Sequence, residues 1–236
     1  MPKQQLGLGG AVAIGLASML GAGVFVVFST AYAFATDLIF VAIGLAALVA
    51  GLNSWAIYQL AKQIDRPGGV YAYSRNYLNT HFSFLSGFAF VFGKIASIAA
   101  IALVFQKYVF PAQSFWPSVA AIALLAFINI LGINRTAGVA TFLSSVTILF
   151  FVTVITWAFL SPASPSQVIF DYVSPRPFEP IIMAAGVVFF AFAGYARVAT
   201  LGDEVRDAKS NIPKAIVISL SAVLVIYLAL AWVLLQ

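Results

Sequence analysis

The sequence predicts an all-α membrane protein built from seven spanning helices, and three observations carry that expectation. Of its 236 residues, 63% are hydrophobic and only 8% are charged, whereas an ordinary soluble domain carries about 25% charged residues. Mean hydropathy is +1.04, so the charge present is too little to cover a water-facing surface, and lipid must solvate most of the chain. Seven runs approach the ~20 apolar residues that a helix needs to cross a hydrocarbon core.

In chain order, Leu8–Ala35 is the first run and contains Gly21-Ala22-Gly23 near its middle. Leu38–Ala61 follows and stops at Lys62. Residues 62–81 read as a basic inner loop whose Tyr71, Tyr73 and Tyr77 suit an interfacial aromatic belt. Phe82–Phe105 carries Lys94 about a dozen residues inside the span. Pro117–Ile133 is the shortest run, and Gly138–Leu160 bears the hydroxyls of Thr141, Ser144, Ser145 and Thr147. Such hydroxyls in a membrane helix most simply bond backbone carbonyls or a neighbouring helix. A Pro- and Ser-containing loop, 161–179, leads to Pro180–Thr200. A charged loop, 201–213, then precedes the last run, Lys214–Leu235.

The distribution of Lys and Arg sets the direction of insertion. With the N-terminus cytoplasmic, Lys3, Lys62, Arg66, Arg75, Arg135, Arg197, Arg206, Lys209 and Lys214 all fall inside, and only Lys107 and Arg176 fall outside. Trp116, Trp157 and Trp232 then sit at outer ends, where indole rings favour the interface. The expected location is the cell membrane, multi-pass, with the N-terminus cytoplasmic. Lys3 alone precedes the first apolar run and no small-residue cleavage site follows, so no removable signal peptide is expected.

Several classes of chemistry drop out. There are no cysteines, which excludes disulfides and thiolate metal sites, and His81 is the single histidine. The net charge of +5 is spread between apolar runs, so it marks topology instead of a nucleic-acid surface. No Ser/His, paired-Asp or His-Glu-x-x-His constellation lies in the spans, so an enzyme is not expected, and no cofactor or metal is implied. A retinal protein would need a lysine within its last helix, and residues 215–236 contain none.

Two spans are expected to break. Gly21 and Gly23 flanking Ala22 lower helix propensity at mid-membrane, and Phe189-Phe190-Ala191-Phe192-Ala193-Gly194-Tyr195 holds a second small-residue interruption at the corresponding place of the sixth span, five helices later. Close helix packing at small residues is the plainer explanation of either feature alone. Paired interruptions in corresponding halves point instead to an inverted-repeat transporter, in which unwound backbone lines a cavity. Half-helix N-termini there suit an anion and freed carbonyls a cation, a pairing that matches a zwitterionic amino acid.

Gly21-Ala22-Gly23-Val24-Phe25 resembles the first-helix glycine motif of the amino acid–polyamine–organocation transporters. Arg66-Pro67-Gly68-Gly69-Val70-Tyr71-Ala72-Tyr73 is similar to that family's signature after the second helix. Phe189 to Tyr195, Asp203 to Asp207 and Asn211 to Ile216 resemble its sixth helix and the cytoplasmic loop beyond. The resemblance covers essentially the whole chain. It implies a leucine-transporter-type inverted-repeat bundle within one transmembrane domain, 1–236. Residues 8–160 would form the first five-helix repeat, and 180–236 the first two helices of a second.

The resemblance also implies a function, secondary active transport of an amino acid by alternating access. Gly21, Ala22 and Gly23 would offer backbone N–H groups to the substrate carboxylate, and carbonyls of Phe189, Phe190 and Ala191 would face its ammonium. Phe190 would be the gate. Ala196 and Arg197 stand where many members carry an acidic residue, and Ala208 replaces a common loop proline. Thr147 occupies the fifth-helix position of a lysine whose ammonium resembles a bound sodium ion in some members, so that lysine is absent here; a proton is the expected coupling ion and sodium the less expected one.

Lys94 is the residue on which proton coupling is expected to rest. At 1.5 Å per residue it lies about 17 Å deep, near the midplane. Ser86, Phe90 and Ser97 share its helical stripe, and no acidic residue lies at comparable depth. A charge so placed faces a cavity and serves proton coupling or substrate contact by default, with snorkelling to an interface or a contact to backbone carbonyls as the structural alternatives. Because family members usually have twelve spans, a missing second half is expected as a partner. The alternative function is a truncated, non-transporting fragment or assembly subunit of such a permease.

Overall fold

The computed structural model describes residues 6–64, 68–111, 115–161 and 178–235. Each of the seven apolar runs is helical. The first is two helices, α1 (Leu8–Met19) and α2 (Ala22–Ala35), separated at Leu20 and Gly21. The chain turns at Thr36, which takes φ 48°, a strained value for a β-branched residue, and α3 (Ile39–Gln63) begins after one 3-10 turn. The stretches 24–63, Thr80–Val109, Arg135–Leu160, Phe178–Val198 and Ala208–Leu234 have the length and apolarity to cross a membrane. The first of these contains two legs, α2 and α3, and Leu8–Met19 and Trp116–Ile130 are shorter apolar helices.

The expected inner loop 62–81 is instead largely helical. After Gln63 ends α3, a short amphipathic helix, α4 (Val70–Tyr77), packs against α5 (Thr80–Val109). Its aromatic rows do more than line an interface. Tyr73 is buried, the Tyr77 hydroxyl donates to Gln63 Oε1, and the Arg75 guanidinium donates to the Tyr71 hydroxyl at 2.9 Å. That bond and the guanidinium's charge hold the Tyr71 phenol below its ordinary pKa. The Asn79 side chain caps α5 by accepting from the Phe82 N–H at 3.0 Å. Arg66 and Pro67 of the second signature lie outside the described residues, as does most of the 161–179 loop.

The fourth run forms α6 (Trp116–Ile130), shorter than expected at its C-terminal end, where Gly132 at φ 110° turns the chain into α7 (Ile133–Leu160). The sixth run is α8 (Phe178–Phe192) and a single turn, α9 (Tyr195–Val198), separated at Ala193-Gly194. The last is α10 (Ala208–Leu234). Phe159 and Trp232 stack with centroids 4.1 Å apart, which sets the ends of α7 and α10 side by side.

The core lies where spans one, two, six and seven meet: α8 packs on α2 and α3, and α10 on α1 and α3. In lipid, association depends on close packing because burying apolar surface gains little over contact with acyl chains. The sequence of α3 supplies that closeness. Ala42, Ala46 and Ala50 recur every fourth residue and are fully or almost fully buried, with Ile39, Ile43 and Ser54 on the same face. The opposite face, with Leu48, Leu52 and Trp55, is exposed. By contrast α5 is exposed along most of its length. The first-described residues join the same core, since Leu6 pairs in a short parallel bridge with Val205, its N–H bonding the Glu204 carbonyl at 2.9 Å.

Candidate functional site

The two breaks meet. A Cβ built on Gly194 would stand 2.6 Å from Met19 Cγ and closer still to the Ser18 carbonyl oxygen, so only glycine lets the sixth span approach the first this tightly. Tyr227 joins them from α10. Its buried hydroxyl lies 2.9 Å from the Met19 carbonyl and 3.3 Å from the Ala191 carbonyl. Its ring packs against Phe28 and Phe192 at 5.1 and 4.9 Å between centroids. One side chain thus touches the C-terminal end of α1 and the end of α8.

Backbone polarity at the first break follows from the helix ends. Gly21 caps α2 with no side-chain acceptor, and the Val24 N–H bonds back to the Gly21 carbonyl at 3.1 Å. The N–H groups of Gly21, Ala22 and Gly23 therefore precede the first intrahelical bond and carry the positive end of the α2 dipole. On the other side α1 closes with the Leu20 N–H on the Leu16 carbonyl at 2.7 Å. That leaves the Ala17 and Ser18 carbonyls beyond its last backbone bond.

At the second break the expected carbonyls are partly engaged. The Ala193 N–H is shared between the Phe189 and Phe190 carbonyls at 3.1 and 3.3 Å, and Ala191 accepts from Tyr227. A carbonyl oxygen has two lone pairs, so each keeps capacity for a second donor.

A cavity of about 470 Å³ opens between these breaks and α5. Gly21, Lys94, Phe190 and Ala191 line it together, joined by Ser97 and Arg197. Phe190 is half exposed there, while Phe189 turns into the core. Lys94 Nζ stands 5.7 Å from the centroid of the Phe90 ring, one turn back on the same helix. The Arg197 guanidinium donates to the Thr200 hydroxyl at 2.6 Å, and that hydroxyl returns a bond to the Arg197 carbonyl at 2.7 Å. Arg197, expected among the charges near the cytoplasmic face, lines the same cavity as Lys94.

A larger cavity, about 830 Å³, lies on the far side of the first break among α5, α6 and α7 and shares Ala17 and Gly21. Its walls are almost wholly apolar. The fifth-span hydroxyls are turned to their own helix, Thr141, Ser144 and Thr147 donating to the carbonyls four residues back at 2.7, 2.7 and 3.0 Å. The smaller cavity is the candidate site because both breaks, Lys94 and Arg197 converge on it. A pocket with a few convergent polar groups is what small-molecule recognition requires.

Sequence reasoning missed Tyr227 and the place of Arg197 on the cavity wall. Arg197 follows Gly194 by three residues, close to one helical turn past the break, and that spacing is the signal that could have placed it. Among the described residues no group of His, Cys, Asp or Glu could hold a metal ion.

Comparison with known proteins agrees with this architecture. Residues 6–235 match the model of the amino acid permease family. An uncharacterized transporter of Mycobacterium tuberculosis is 38% identical over 230 residues, which cover 97% of this chain and 52% of that protein. The inner membrane transport protein YbaT of Escherichia coli is 26% identical, over 99% of this chain and 56% of its own length. The branched-chain amino acid permease BcaP of Bacillus subtilis is 21% identical, over 97% and 54%. The chain spans about half the length of the curated relatives it matches. This multi-pass helical membrane protein, with both its first and sixth spans broken, belongs to the amino acid permease family.

Proposed function

We propose that the chain serves secondary active transport of an amino acid across the cytoplasmic membrane by alternating access, coupled to protons, with the N-terminus cytoplasmic. Residues 8–160 act as the first repeat and 180–236 as the start of the second. The observation that carries the reading is the cavity in which Gly21, Phe190 and Lys94 meet between the two breaks. The substrate carboxylate docks on the N–H groups of Gly21, Ala22 and Gly23. Its ammonium faces the backbone oxygens of Phe189, Phe190 and Ala191, and Phe190 closes over it.

Lys94 carries the proton. The groups that face it across the cavity are Ser18 from α1, Phe190 from α8 and Arg197 from α9, with Phe90 and Ser97 on its own helix. A low-dielectric wall makes its charge costly when the cavity holds no counter-charge, so protonation and substrate occupancy are linked.

A second reading, a non-transporting fragment or assembly subunit, draws on the half-length match to the relatives. One assay separates the two. The chain in proteoliposomes, alone and within the full-length permease, is tested for uptake of labelled amino acids under an imposed proton or sodium gradient. Proton-driven uptake supports the transporter reading. Uptake by the full-length permease and none by the chain alone assigns the chain a partial role. The absence of gradient-driven or counterflow uptake of every amino acid by either form contradicts it.

A further inference from the structure

The proposal concerns substrate charge and rests on the transport reading above. Lys94 from α5 and Arg197 from α9 line the same cavity. Among the described residues no Asp or Glu lines it with them, and the acidic residues Asp37, Glu179, Asp203, Glu204 and Asp207 lie outside it. Charged groups at membrane depth pair with opposite charge or line a water-filled path, because an unpaired charge in a low-dielectric wall is costly. Two cations facing one small cavity compound that cost through mutual repulsion. The hydrogen bond from Arg197 to the Thr200 hydroxyl satisfies a donor without neutralising the charge.

We propose that this cavity selects an amino acid with a second carboxylate, glutamate or aspartate. A neutral zwitterion brings its own ammonium and adds no net charge to offset Lys94 and Arg197. A side-chain carboxylate supplies one negative charge to a wall that has none among the described residues. Guanidinium and carboxylate fit as a two-bond fork, and the Lys94 ammonium adds a point charge from the opposite wall. Ser18 and Ser97 provide hydroxyls for the carboxylate's remaining lone pairs. A volume of about 470 Å³ accommodates an amino acid of this size without a large apolar side chain having to fill it.

The test compares isosteric pairs that differ in charge alone, using the full-length permease in detergent and in proteoliposomes. Thermal unfolding is followed with L-glutamate against L-glutamine and with L-aspartate against L-asparagine, and counterflow uptake is measured for the same four. The expected result is a rise in unfolding temperature and uptake with the acids, and at least a tenfold weaker response with the amides. In Arg197→Gln, half-saturation for glutamate is expected to rise by about tenfold or more, through loss of the charge-assisted fork. Lys94→Gln checks the second cation in the same way. Equal responses to acid and amide, or uptake of neutral amino acids that glutamate and aspartate do not inhibit, overturn this inference and leave the transport reading standing. Failure of every amino acid to bind or be carried overturns both. Because the pairs are compared on the unmutated protein, a variant that does not fold leaves the comparison intact.

Discussion

The Tyr227 hydroxyl donates to the Met19 carbonyl at 2.9 Å across 208 residues of sequence, and that bond ties the seventh span to the end of the first half-helix. The same oxygen lies 3.3 Å from the Ala191 carbonyl, yet a phenol has one proton to give. The two carbonyls therefore share or exchange a single donor, and the two broken spans are held at one point. Tyr227→Phe keeps the ring packing against Phe28 and Phe192 and removes only the donor. The expected cost is about 1–3 kcal/mol for carbonyls left buried without it, read as a lower unfolding temperature. Because Tyr227 does not line the cavity, maximal transport rate is expected to fall more than apparent affinity.

The two break glycines make opposite predictions. A methyl on Gly21 meets only the Ala17 carbonyl oxygen at an ordinary 3.7 Å, whereas one on Gly194 collides with Ser18 and Met19. Gly194→Ala is expected to separate the first and sixth spans and to cost about 1–3 kcal/mol or more, as overpacking does. Gly21→Ala is expected to fold normally. Unfolding temperatures of the two variants, measured side by side, check the contrast.

Tyr73 offers a pH test outside the spans. Its hydroxyl is buried with no hydrogen-bond partner among the described residues, and burial pushes its pKa up to about 12. An unfolded tyrosine ionises near 10. The stability tied to the neutral phenol is thus fully present below pH about 10 and is lost as pH rises through about 12. Tyr73→Phe removes an unpaired polar group and is expected to match or exceed wild-type stability at neutral pH. Its advantage should widen between those two pH values. Denaturant titrations at a series of alkaline pH values provide the measurement.

Lys94→Met removes the amine and keeps most of the side chain's length. If Lys94 carries the coupled proton, uptake by the variant loses its dependence on a pH gradient, while counterflow exchange persists at substrate concentrations high enough to offset weaker binding. Gradient-driven uptake with an unchanged pH profile contradicts the coupling role. Comparison of the two uptake modes in proteoliposomes reads this directly.

The parts of the fold written in local composition were legible: apolar runs, paired small-residue interruptions and a solitary deep lysine each have a direct physical meaning along the chain. The first break falls at Leu20 and Gly21, so Ala22 and Gly23 already belong to α2, a register that helix-end geometry fixes and glycine spacing does not. Loop 62–81 reads as basic and polar because α4 is amphipathic and only eight residues long, too short for its period to stand out. Tyr227 looked like any aromatic residue in an apolar helix, since its role depends on a partner at Met19. Arg197 reads as one of the basic residues that mark the cytoplasmic side, and nothing local to it marks a cavity wall. The chain passes a break before reaching it, and the single turn α9 brings it to the cavity.

If substrate binds between the two breaks beside Lys94, a reporter on that cavity wall must sense it. The sequence contains no cysteine, so one introduced at Ser97 on the cavity wall is the sole thiol in these 236 residues. Full-length permease freed of any other cysteine and carrying Ser97→Cys is reconstituted, and its rate of modification by a small charged thiol reagent is measured with each standard L-amino acid. Phe115→Cys, which lines neither cavity, serves as control. The account predicts that the amino acids active in counterflow slow modification of Cys at position 97 and leave the control unchanged. A transported amino acid that leaves both rates equal would contradict it.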